Sequence, residues 1–143
     1  MTVTLPLVNL DTQAAHLLGS LWLHGHLGDL DTFDACLLAA LERGLALVEF
    51  ALIEDRADVT HALAHSEPRG ADLPDHVLGA RATLVKRLDS ARVRCAIAHN
   101  APVLPRPLFA CLLVELGARS LAHDAEGLAP TVLDLCPEEE WEP

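Results

Sequence analysis

The sequence predicts an all-α fold, a single-domain bundle of four to five helices, on three observations. Leu and Ala dominate the chain while Tyr is absent, a mix that favours helix over the Val-, Thr- and aromatic-rich composition of strands. Apolar residues recur at spacings of three and four in three separate segments, the period of an amphipathic helix. The chain also shows no internal repeat and no Gly-Ser linker, and its 143 residues are the length of one domain.

Each element follows from local signals. Residues 1–10 read as an extended arm. Asp11 offers an N-cap, and "TQAAHLLGSLWLHGHL" carries apolar positions 14, 17, 18, 21 and 22, so a first helix is expected to end near Gly25 or Gly28. Asp31 with Asp34 gives a second capping signal. From there Phe33, Leu37, Leu41, Leu45, Val48 and Leu52 form the stripe of a long central helix, expected to bend around "EDRAD" and run on to about His65.

"SEPRGADLP" (66–74) reads as a loop. Asp72 then caps a helix with Pro74 in its first turn and Asp75 near the positive end of its dipole. Val77, Ala80, Leu84, Leu88, Ala91, Cys95 and Ala98 make one stripe, so that helix extends close to His99. "NAPVLPRP" stops it, because three prolines in six residues cannot continue a helix. A last long helix covers Leu108 to about His123, and Val132 to Leu135 could pack back onto the bundle. The domain thus spans 11–135, followed by an acidic tail at 136–143. The expected core includes Leu37, Leu41, Leu45, Val48, Leu84, Leu88, Leu112 and Leu116.

Composition narrows the function classes. The N-terminus lacks a basic n-region and a sustained apolar run, and the richest apolar stretch contains Asp34, Glu42, Arg43 and Glu49, so neither a signal peptide nor a membrane span is expected. A soluble, cytoplasmic protein is the expectation. Cys36, Cys95, Cys111 and Cys136 have no paired spacing and read as reduced, buried small residues. The net charge is −11, yet six of the ten basic residues (Arg81, Lys86, Arg87, Arg92, Arg94 and Arg106) lie in one stretch with a single acid, Asp89. A local cationic strip on an acidic chain suits a local anion such as a phosphate, not tracking along duplex DNA.

No nucleotide-binding, serine-hydrolase or zinc-protease motif occurs. Eight histidines raise the question of a metal. "DVTHALAH" sets Asp58, His61 and His65 on one helical face, but no second Glu-x-x-His completes a bundle site. These histidines read as polar residues near a helix end, and no metal or cofactor is expected. His24 and His26 read the same way.

"RCAIAHN" (94–100) resembles the motif of HEPN domains, small all-helical bundles that include many toxin ribonucleases. Their motif is Arg, four to six residues, then His, within a stretch like Ile-Ala-His-Asn. Arg56 with His61, Arg69 with His76 and Arg92 with His99 share the spacing, but only Arg94 and His99 have that context. Cys95 stands where the family commonly has a polar residue. The resemblance implies a metal-independent endoribonuclease that leaves a 2′,3′-cyclic phosphate, with Arg94 and His99 catalytic at the cleft of a homodimer. Arg87, Arg92, Asn100 and Arg106 are the expected RNA contacts, and a nucleotidyltransferase-type antitoxin is a further implied partner.

The residues fit such chemistry. Arg stays charged and grips phosphate, while His exchanges protons near neutrality. Five residues along a helix turn about 500°, so the two side chains diverge unless the helix ends between them. The alternative reading is a non-catalytic helical protein-binding module, a degenerate HEPN domain serving as a neutraliser or complex subunit.

Overall fold

A computed structural model describes residues 2–7, 10–28, 30–65 and 76–125. The chain is predominantly helical, as its composition predicts, but it also holds a small sheet that the helical periodicity did not reveal. The elements are β1 (Thr2–Leu7), α1 (Thr12–Leu23), α2 (Phe33–Ile53), α3 (Ala57–Ala64), β2 (His76–Arg81), α4 (Ala82–Ala98) and α5 (Arg106–Ala125). The expected loop at 66–74 with its Asp72 cap, the segment at 132–135 and the tail at 136–143 lie outside the described residues.

The centre is the α2–α5 pair. A Cβ on Gly44 would overlap the Leu113 carbonyl, and one on Gly117 would overlap the Ala40 carbonyl. Those pairings run in opposite directions along the two helices, so they are antiparallel and touch backbone to backbone. Leu37, Leu41, Leu45 and Val48 from α2 meet Phe109, Leu113 and Val114 from α5, all with at most 1% exposure. Leu112 and Leu116, expected in the core, are only partly buried against it. The glycine face of α5 turns toward α2 and carries Leu113 and Val114 inward in their place.

Local chemistry explains where the helices start and stop. The Asp11 carboxylate accepts the Ala14 N–H at 3.1 Å. The cap of α2 is Thr32, whose hydroxyl accepts the Ala35 N–H at 3.1 Å. Asp34 lies inside the first turn, where its charge suits the helix dipole. The stops share one design, in which a residue at positive φ turns the chain so that the next N–H reaches back into the last turn. Gly25 (φ 76°), Asp55 (φ 55°) and Asn100 (φ 51°) occupy that position. The following N–H groups donate back, His26 to Leu21 at 2.9 Å, Arg56 to Ala51 at 2.8 Å and Ala101 to Ala96 at 2.9 Å. "EDRAD" is therefore a full break between α2 and α3, not a bend.

The sheet is an antiparallel ribbon in which Leu5 pairs with Leu78 and Thr2 with Arg81. The N-terminal arm is thus a strand, and residues 76–81 are not the start of a helix. Leu78 and Ala80 point into the core while Val77 and Arg81 are exposed, the alternation of a strand with one buried face. Val77 and Ala80 matched a helical stripe because a short apolar run satisfies either period. Its partner lies seven decades of sequence upstream, where no local pattern announces it. No helix among the described residues is long and apolar enough to cross a membrane.

Candidate functional site

Helix α4 ends within the "RCAIAHN" stretch. Its last helical residue is Ala98, and His99 is the C-cap, with its N–H on the Cys95 carbonyl at 3.3 Å. Asn100 takes the left-handed conformation that Asn tolerates better than most residues. The Asn of the "IAHN" stretch thus has a backbone task, turning the chain just after His99, while residues 94–98 stay helical and His99 caps the same cylinder that carries Arg94.

Arg94 is exposed on α4, and among the described residues no hydrogen bond or ion pair engages it. His99 is half-buried and packs on α3, where its Nε2 lies 2.5 Å from the Thr60 hydroxyl. Thr60 is itself buried, at 3% exposure. Two further imidazoles crowd the same spot. The His61 ring centroid is 5.3 Å from that of His99, edge to face, and 4.3 Å from that of His65. His65 lies 6.3 Å from His99. Asp58, on the same turn of helix, lies 3.5 Å from the Arg56 guanidinium. Among the described residues no three His, Cys, Asp or Glu side chains stand so as to hold a metal ion.

Three of the expected RNA contacts are engaged in ion pairs. Arg87 makes two hydrogen bonds to the Glu49 carboxylate, at 3.1 and 2.6 Å. Arg106 grips Asp89 through two bonds at 2.9 and 2.5 Å. Arg92 reaches the same carboxylate at 3.2 Å and donates to the Leu104 carbonyl at 2.7 Å. Asp89 and Arg92 therefore tie α4 to the proline-rich connection and to the start of α5. Burial alone would raise the Asp89 pKa, but hydrogen bonding and charge from Arg106, then Arg92, outweigh it and hold the carboxyl below its ordinary range. The cationic strip available to a ligand is narrower than the sequence suggests, with exposed Arg94 at its end.

Cys95 follows Arg94 in sequence but points the other way. Its thiol is 1% exposed, and burial pushes it up to about 11, with the Arg94 charge opposing. A polar side chain at 95 would enter the core instead of the site. The structure also brings in residues that the sequence reading did not assign, namely Thr60, His61 and His65. Their positions in "DVTHALAH" show a shared helical face, but only the packing of α3 on α4 places that face against His99. His24 and His26, read as helix-end residues, lie just beyond the end of α1 at Leu23 with their rings 6.4 Å from each other.

Comparisons with family models, curated proteins and solved structures return no match to this chain.

Proposed function

We propose that this chain is a HEPN-like, metal-independent endoribonuclease in which Arg94 binds the scissile phosphate and His99 transfers a proton. The observation that carries this reading is the termination of α4. Near the end of that helix stands an exposed guanidinium that no described residue engages, and on its cap a half-buried, hydrogen-bonded imidazole. The arginine neutralises phosphate charge, and the histidine helps the 2′-hydroxyl attack the adjacent phosphorus. In this reading the RNA contacts centre on Arg94 and Asn100, with Arg87, Arg92 and Arg106 contributing mainly through the shape of α4 and its connection. A cytoplasmic homodimer meeting near residues 92–106, neutralised by a nucleotidyltransferase-type antitoxin, completes the proposal.

The test is cleavage of a mixed RNA pool in chelator, with product ends assayed for 2′,3′-cyclic phosphate. His99→Ala is expected to lose about 10²–10⁴ in rate while keeping most RNA binding. Arg94→Ala is expected to weaken both binding and rate. Equal rates and products for wild type and His99→Ala would refute the enzyme.

A non-catalytic binding module is the second reading, favoured by two apolar side chains flanking Arg94. Val93 and Ile97 are 38% and 73% exposed one turn apart on α4. A stable complex with another protein, abolished by Ile97→Asp, in a chain without ribonuclease activity would support it.

A further inference from the structure

Cleavage of an RNA phosphodiester by its own 2′-hydroxyl needs two proton transfers, one from the attacking oxygen and one to the leaving oxygen. Arg94 performs neither, since a guanidinium keeps its proton at any working pH. The motif therefore supplies one proton-transfer group where the reaction needs two. Resting on the ribonuclease reading above, we propose that His61 is the second group, the general acid that protonates the departing 5′-oxygen, while His99 is the base. In this arrangement a single protomer carries both.

Geometry supports the pairing. The two rings touch edge to face at 5.3 Å, contributed by different helices. His61 is exposed, so a substrate reaches it. The roles are assigned through Thr60. Its hydroxyl lies 3.5 Å from the carbonyls of both Arg56 and Ala57, one turn back in α3. In the assignment proposed, the hydroxyl proton lies toward those carbonyls and its oxygen accepts from His99 across the 2.5 Å contact, whose direction the tautomer sets. Nε2 of His99 then carries the hydrogen, and the neutral ring presents its lone pair at Nδ1. Thr60 is a positioning residue that makes His99 the base, and His61, with no such tie among the described residues, is left to deliver a proton.

The step balances. Nδ1 of His99 takes the 2′-hydroxyl proton as the O2′–P bond forms and the P–O5′ bond breaks. His61 gives its proton to O5′, leaving a 2′,3′-cyclic phosphate and a 5′-hydroxyl. Solvent then returns both rings to their starting states.

The role of an acid is tested by changing the leaving group. A dinucleoside monophosphate needs its 5′-oxygen protonated, whereas uridine 3′-(4-nitrophenyl phosphate) expels a stable phenolate unaided. His61→Ala and His61→Gln are expected to lose about 10²–10⁴ on the dinucleotide and about tenfold or less on the aryl ester. His99→Ala is expected to lose heavily on both, and His24→Ala on neither. Circular dichroism and melting of each variant check that the fold persists. For Thr60, ¹⁵N shifts of the His99 ring are expected to report the Nε2–H tautomer in wild type and a mixture in Thr60→Val.

Wild type that cleaves both substrates while His61→Ala matches it, or falls equally on both, overturns the acid role and leaves the ribonuclease reading standing. The same holds if the sparing of the aryl ester appears in His65→Ala instead. An Nδ1–H tautomer in wild-type His99 overturns the base assignment. Wild type inactive on both substrates defeats the ribonuclease reading and this proposal together.

Discussion

The α2–α5 seam and the α3–α4 end use opposite means to hold two helices together. At the seam, Gly44 and Gly117 remove side chains altogether, and backbone meets backbone across a dry contact. At the other end, Thr60 and His99 meet through a hydrogen bond, with the exposed His61 and His65 rings beside them. The seam tolerates no added atom and offers no chemistry. The α3–α4 end instead gathers polar groups, and the partners of buried Thr60 and half-buried His99 must be specific there. Close packing is concentrated in one region and polar groups in the other.

Substitutions can break that contrast or sharpen it. The largest effect is expected at the seam. Gly117→Val has nowhere to place its side chain without separating α5 from α2, and is expected to cost about 3 kcal/mol or more. Urea unfolding measures it, and normal stability would mean the helices are not in backbone contact. Cys95→Asn comes next. Its amide enters an apolar site that now holds a thiol at 1% exposure, for an expected loss of about 1–3 kcal/mol. If it instead melts like wild type and raises RNA cleavage, residue 95 belongs to the reactive end and not to the core.

Asp89→Asn is the smallest. Removing the shared partner of Arg92 and Arg106 from a partly exposed network is expected to cost about 1 kcal/mol at neutral pH. Because folding lowers the Asp89 pKa, its contribution is fully present above the ordinary carboxylate range of about 4 and is lost as pH falls through the folded value. The stabilities of wild type and variant should therefore converge in acid. A gap that persists there would show that the charge is not what matters.

Much of the fold was legible because helix signals are local. Capping at Asp11, the stripe from Phe33 to Leu52, and the proline stop after Asn100 each depend on residues within a few positions of one another. The β1–β2 ribbon was not legible, since pairing between Leu5 and Leu78 is fixed by packing across the chain. The site divides the same way. Arg94 and His99 stand out as a spaced pair, and the helix end just after His99 is written in Asn100. That His99 rests on Thr60 and against His61 depends on α3 folding onto α4. Likewise, whether a cation in the basic stretch is available depends on acids elsewhere. Glu49 lies on another helix from Arg87, and Asp89 is shared by Arg92 and Arg106, with Pro102 and Pro105 between them.

The ribbon also bears on how the chain is made. During synthesis the first strand emerges with Leu5 and Leu7 uncovered, and the backbone partner for Leu5 is Leu78. At about 5–20 residues per second, the ribosome takes on the order of several seconds to make the intervening stretch. Through that interval α1 and α2 can form on their own local signals, while the opening residues must wait as an unpaired apolar edge. The strand β1, made long before β2, is thus among the last of these elements to reach its native place.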